Sequence, residues 1–235
     1  VLVAEFSGVV SPVAAEFMGA AIREAERERY DAVVIGLDTP GGLDASMREI
    51  VKAMMSSTVP TIVYVSPSGA RATSAGVFIT MAAHVAAMAP GTNIGAAHPV
   101  QLGGGMPGSK DKPDKVEEDK ITNDAAAYLQ AIASRRGRNV AWAEQVVVKS
   151  TSIPAGAAVA ANVVDMEAAS LEDLLKAADG MILPDFKDKP LRLAGAEIML
   201  FPMSRRQRLL AAVSDPNVAM VLMSLGVSGL LIELY

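Results

Sequence analysis

Residues 32–65 read AVVIGLDTPGGLDASMREIVKAMMSSTVPTIVYV, and this stretch decides the fold. Its two mainly apolar runs, 32–37 and 60–65, are too short for buried helices and rich in Val and Ile. Such runs mark strands covered on both faces, as in a parallel sheet. Between them DTPGG (38–42) reads as a turn and 43–56 as a helix. Upstream, 1–6 is a third apolar run, and Ser11-Pro12 supplies an N-cap followed by proline at the first helical position. That helix is predicted to reach about Arg29. Strand–helix–strand–helix–strand is the pattern of a mainly parallel α/β sheet.

Working outward, 68–73 reads as a small-residue loop, Ser74 to about Ala83 as a helix, and 85–88 and 93–97 as short strands. The stretch PVQLGGGMPGSKDKPDKVEED (99–119) reads as one long loop. Loops of that length are uncommon in compact domains and often functional, so a lid over a cleft is expected here. The helical pattern resumes at Lys120 and runs to about Arg136; further helices are expected at 139–149 and from Pro154, with an edge strand at 163–164. From about residue 168 the texture changes. A helix at 171–178, short strands within 181–200 and an amphipathic helix at 204–213 lead into VAMVLMSLGVSGLLI (218–232), a run without charge. A membrane span needs about 20 apolar residues, so 218–232 is expected to be the first part of one. The predicted organisation is a main domain over 1–168, a small α/β appendage over 169–203, and a membrane-proximal helix with the start of a span over 204–235.

Composition removes several classes of function. Among 235 residues there is no cysteine and there are two histidines, which excludes a thiol nucleophile and argues against a His-rich metal site. A net charge of −5 lacks the basic footprint of a nucleic-acid binder. Neither a cofactor nor a metal is expected. Hydrophobic residues make up 51% but aromatics only 4%, so the core must be built from small aliphatic side chains and the 13 Met.

Three features carry chemistry. Gly41-Gly42 closes the second strand, where open α/β sheets place their sites and where glycine exposes a backbone N–H. Taken alone it is also an ordinary turn. Ser74 opens an Ala-rich helix and is followed by Ala75-Gly76; its hydroxyl meets the positive helix end, and the Ala75 N–H is available to donate. The local alternative is that Ser74 or Thr73 merely caps the helix. A serine needs a base to become a useful nucleophile. His98 is one candidate and Lys120 the other, since a lysine acts as base when burial brings its pKa from about 10.4 toward about 7–8.

The ordered set DTPGG (38–42), TSAGVFI (73–79), APGTNIGAAHP (89–99) and DKITNDAAAYL (119–129) resembles the membrane-bound NfeD-type serine proteases. These are relatives of the Clp proteolytic subunit and of signal peptide peptidase A. The resemblance is close over about 1–168 and looser through SDPNVAMVLMSLG (214–226). It implies a Clp/crotonase-type fold of stacked ββα units and a Ser-Lys dyad, with Ser74 as nucleophile and Lys120 as base. It also implies Gly42 and Ala75 as oxyanion-hole donors. A homodimer or higher homo-oligomer is expected, with the catalytic domain outside the cytoplasm and a stomatin/prohibitin-like membrane protein as substrate. Two features cut across these implications. His98 follows Ser74 by 24 residues, close to the spacing of the Clp triad histidine, so a Ser-His pair stays open. Arg205, Arg206 and Arg208 precede the apolar tail, and positive charge beside a span ordinarily faces the cytoplasm. A scaffold that only recruits a stomatin-like partner and a crotonase-type acyl-CoA enzyme are the rival readings.

Overall fold

Leu2–Ser7 (β1), Val33–Asp38 (β2) and Thr61–Val65 (β3) lie parallel and adjacent, as the apolar runs require. The structure, a computed structural model, describes residues 1–100, 115–186, 189–214 and 216–233. Val85–Met88 (β5), Met166–Glu167 (β8) and Met199–Leu200 (β9) complete a six-stranded parallel sheet in the order β8-β5-β3-β2-β1-β9. Alternate side chains serve two cores. Leu2, Ala4, Phe6, Ile35, Leu37, Val63 and Val65 face one side. There they meet α1 (Pro12–Glu28), α2 (Asp44–Met55) and α3 (Ala75–Ala82). Val3, Val34, Ile62 and Tyr64 face the other side, against Leu174 and Leu175 of α7 (Leu171–Ala178) and against Leu183, Leu191 and Leu193. Each fully buried aliphatic side chain of this kind stabilises the fold by about 1.5–3 kcal/mol.

A second, three-stranded sheet crosses the carboxyl end of the first. Arg71–Thr73 (β4) runs parallel to Asn93–Gly95 (β6), which pairs antiparallel with Ser152–Pro154 (β7). A bridge between Thr39 and Ala72 joins the two sheets. Lys115–Arg135 (α4), Val140–Val148 (α5) and Ala155–Ala160 (α6) follow, and α4 is fastened by Tyr128, which stacks on Phe78 of α3 at 6.0 Å and carries Arg48 of α2 over its ring at 4.4 Å.

Several expectations are corrected. The stretch 68–73 ends in β4 rather than being all loop. The edge strand is β8 and not 163–164: Val163 and Val164 are buried in a turn, and Asp165 accepts from the Ala86 N–H at 2.6 Å and from Arg138 at 2.6 Å. Between 181 and 200 the one strand among the described residues is β9. Pro184–Phe186 forms a 3-10 turn, and the segment at 191–194 is irregular backbone held by Asp179, whose carboxylate accepts from Leu193 and Ala194 and is kept below the usual carboxylate range by the bonds from Ala194 and Leu193. The helix containing Lys120 begins earlier, at Lys115. Of the loop expected to act as a lid, 99–119, residues 115–119 belong to α4 and 101–114 lie outside the described residues.

Arg205–Val213 (α8) starts at a capping box formed by Ser204 and Gln207. Pro216–Glu233 (α9) carries Met220, Leu222, Met223, Leu225, Leu230 and Ile232 exposed. Among the described residues no single helix is long and apolar enough to cross a membrane. Arg205–Val213 and Val218–Ile232 reach that length and apolarity only together, across a 70° bend.

A polar cluster around Asp185 joins the amino-terminal core to the later chain. Asp185 accepts from Arg135 and Arg136, each at 2.6 Å, and Arg136 also donates to the Ala82 carbonyl. Beneath it His84, its side chain 3% exposed, accepts at Nδ1 from the Thr61 N–H at 3.1 Å. Burial first, and the Arg136 guanidinium second, push its pKa down to about 3. The unfolded chain, with an ordinary histidine near 6.5, therefore binds a proton that the native state refuses. The His84 contribution is complete above pH 6.5 and is lost as pH falls toward 3, at about 1.4 kcal/mol per pH unit. Denaturant unfolding at pH 7.5 and pH 5 should show that loss, and His84→Gln should flatten it.

Candidate active site

The site is assembled where β2 ends. Thr39, fully buried, donates its N–H to the Arg71 carbonyl at 2.7 Å and accepts from the Thr73 N–H at 3.1 Å, so the end of β2 fixes the end of β4. The residue that follows β4 is Ser74. Its N–H donates to the Gly95 carbonyl at 3.0 Å, and its backbone lies at φ 54°, ψ −114°. Positive φ in a non-glycine residue stores about 1–3 kcal/mol and persists only where the surroundings impose it. The chain then turns directly into α3. A strained strand-to-helix turn of this kind thrusts a side chain out at the helix N-terminus, the device used by nucleophile elbows in hydrolases. The Ser74 side chain makes no capping bond, so its hydroxyl is not spent on the helix.

Gly41 and Gly42 face it. Gly41 has φ +116°, and a Cβ there would stand 2.6 Å from the Ser74 Cβ, so the serine side chain rests on glycine backbone. Gly42 pairs with Val10 in a parallel bridge: Val10 donates to the Gly41 carbonyl at 2.8 Å and accepts from the Leu43 N–H at 2.8 Å. A Cβ on Gly42 would lie 2.2 Å from the Val10 carbonyl oxygen. Among the described residues, neither the Gly42 N–H nor the Ala75 N–H has a hydrogen-bond acceptor. Two unspent backbone donors thus flank an uncapped, strained serine. An arrangement of this kind can bind the oxyanion of an acyl-transfer intermediate.

The two candidate bases stand apart from this group. Lys120 lies exposed in the second turn of α4, behind Glu117, Glu118 and Asp119, and forms no hydrogen bond or ion pair with any described residue. Asp124, one turn further along the same face, is bound by Arg48 at 2.6 Å, and Arg48 also holds Asp44 at the start of α2. That face of α4 therefore looks toward the start of α2, two residues past Gly42. The structure shows no contact between Lys120 and Ser74. His98 is also exposed; its Nδ1–H donates to the Val147 carbonyl at 3.0 Å. A cavity of about 260 Å³ beside the residues flanking Val10 is lined by apolar side chains such as Phe6, Val9 and Met203 together with Ser7, Ser11 and Ser214. Sequence reasoning missed Thr39; its one signal was Pro40, which holds the preceding residue extended.

Over 235 residues the chain is 35% identical to the membrane-bound protease PH1510 of Pyrococcus horikoshii, covering 99% of this chain and 52% of that protein. It thus spans about half the length of that curated relative. Among solved structures, a lysine-to-alanine mutant of the 1510-N membrane-bound stomatin-specific protease in complex with a substrate peptide matches with a TM-score of 0.80 at 33% identity, over 90% of this chain and 96% of that one. A serine-to-alanine mutant of the same protease matches with a TM-score of 0.78 at 34% identity, over 86% and 97%. The model described as NfeD1b, N-terminal domain, matches residues 1–182. The strained serine, the glycine turn and the parallel sheet therefore sit in a chain that belongs to the NfeD1b N-terminal-domain family.

Proposed function

We propose that this chain is a serine endopeptidase of Clp/crotonase type, cutting apolar, membrane-proximal segments of a stomatin/prohibitin-like protein. The observation that carries the reading is Ser74: a hydroxyl left uncapped at a strained helix entrance, against Gly41, with the neighbouring Gly42 and Ala75 N–H groups lacking acceptors among the described residues. Ser74 attacks the peptide carbonyl and forms the acyl-enzyme as the C–N bond breaks. The Gly42 and Ala75 N–H groups hold the oxyanion, each such donor being worth about 2.7–4 kcal/mol of barrier. Lys120 takes the Ser74 proton and delivers it to the leaving amine; water then enters by the same route and frees the acid.

The reading places the catalytic unit in 1–168, an appendage in 169–203 and the membrane-directed part in 204–235. The exposed apolar side chains of α9 support a membrane attachment. The name of the matched protease supports a stomatin-like substrate. The catalytic unit is assigned outside the cytoplasm and to a homodimer or larger assembly on the family resemblance.

The test is labelling with a serine-directed fluorophosphonate, with the adduct located by peptide mass spectrometry, alongside cleavage of an apolar peptide library. An adduct on Ser74 that blocks cleavage is expected. Cleavage that survives full modification of Ser74 would falsify the proposal.

A further inference from the structure

Resting on the peptidase reading above, we infer that Thr39 is a positioning residue of the reaction: it aims the Gly42 N–H and sets its spacing from the donor at Ala75, without touching substrate.

Its hydroxyl grips Gly41 at two points. Oγ1 accepts from the Gly41 N–H at 3.1 Å and donates to the Gly41 carbonyl at 3.2 Å. The first bond consumes the Gly41 N–H, so that donor cannot compete for the oxyanion. The second acts through covalent geometry. The Gly41 carbonyl and the Gly42 N–H belong to one planar trans peptide and point in opposite directions. Val10 holds the same carbonyl from its own backbone N–H at 2.8 Å. With the oxygen fixed by Thr39 and Val10, the Gly42 N–H is turned away from both, toward the side on which it has no acceptor among the described residues.

The methyl group acts on the other half of the site. A Cβ on Gly76 would stand 2.7 Å from the Thr39 Cγ2, so the second residue of α3 rests directly on that methyl. Gly76 follows Ala75, whose N–H is the second proposed donor. One buried side chain therefore touches both elements that supply the oxyanion donors, while its backbone ties down β4 just before Ser74. The helix and the glycine turn come from distant parts of the chain, and their separation is set by the width of a threonine.

Such a residue acts on the transition state and not on ground-state binding. Thr39→Val keeps the shape and removes the hydroxyl; it should lower kcat for an apolar peptide by about tenfold to a hundredfold with KM unchanged. Thr39→Ser restores the hydroxyl but not the methyl beneath Gly76, and should recover most of the kcat that Thr39→Val loses while staying about threefold to tenfold below the native value. Gly76→Ala should lower kcat by at least about tenfold by pressing on the methyl, and Thr39→Ser in the same chain should relieve it, since neighbouring substitutions couple. This second pair carries the test if Thr39→Val does not fold.

The expected outcome is a kcat loss without a KM change, partial rescue by Ser, and recovery of Gly76→Ala by Thr39→Ser. A Thr39→Val protein with native kcat, or with kcat and KM changed in step with a lower Tm, overturns the inference, as does Gly76→Ala activity that Thr39→Ser leaves unrelieved. If Ser74→Ala cleaves as well as the native chain, it is the peptidase reading that has failed.

Discussion

Ser74→Ala and Lys120→Ala are each expected to lower kcat for cleavage of an apolar peptide by about a thousandfold or more, with the fold intact. The structure makes the second half of that statement informative. Alanine keeps the Cβ of Ser74, so the contact with Gly41 and the backbone strain stay as they are, and the hydroxyl has no capping bond to lose. Lys120 is exposed and unpaired among the described residues, and surface truncations of that kind change stability by about 0.5 kcal/mol or less. A large loss of rate with an unmoved Tm is then chemistry rather than unfolding. His98→Ala supplies the contrast. The imidazole gives its Nδ1–H to the Val147 carbonyl, so its removal should lower stability by about 1 kcal/mol and leave kcat within about tenfold of native. The opposite result, with His98→Ala inactive and Lys120→Ala active, assigns the base to the imidazole.

Gly42→Ala is expected to reduce kcat by about a hundredfold and stability by about 1–3 kcal/mol. The added carbon would meet backbone: the Val10 carbonyl oxygen at 2.2 Å and the Val10 nitrogen at 2.5 Å. No rotamer change relieves such a contact. Either the Val10–Gly42 bridge opens, losing the bonds to the Gly41 carbonyl and from the Leu43 N–H, or the turn tips and carries the Gly42 N–H with it. Misplacing a catalytic group by about 1 Å is enough for a loss of that size. Gly156→Ala is the control: it lies in α6, where a Cβ would find the Glu167 carboxylate at an ordinary 3.5 Å. There alanine should raise stability by about 0.5–1 kcal/mol and leave cleavage untouched.

The first half of the fold was legible because its signals are local. The runs at 33–38 and 61–65 are buried on both faces and read as such, Ser11 accepts from the Ala14 N–H as a cap should, and Pro12 opens its helix. The second sheet was not legible, because β4 is three residues long and exists by virtue of distant partners, Thr39 on one side and Asn93–Gly95 on the other. Among the described residues of 181–200 the strand pattern holds only for β9, while Leu183, Leu191 and Leu193 reach the second core outside any strand. Ser74, Gly42 and Ala75 could be picked out by residue type and by resemblance. Neither the left-handed backbone of Ser74 nor the role of Thr39 could be: the first is imposed by tertiary contacts, and the second depends on a methyl meeting Gly76, 37 positions away.

The placement of β9 has a mechanical consequence. Met199 donates to the Val1 carbonyl at 2.9 Å and Phe201 to the Val3 carbonyl at 2.8 Å, while the Phe201 ring stacks on Phe17 of α1 at 5.8 Å. A pull transmitted through α8 therefore runs along the direction of β1 and loads both bonds at once in shear. Tension from a tether at that end would be borne by the strand that leads, through Gly8 and Val10, to the Gly42 turn, so a load on the carboxyl-terminal helices would reach the backbone around Ser74.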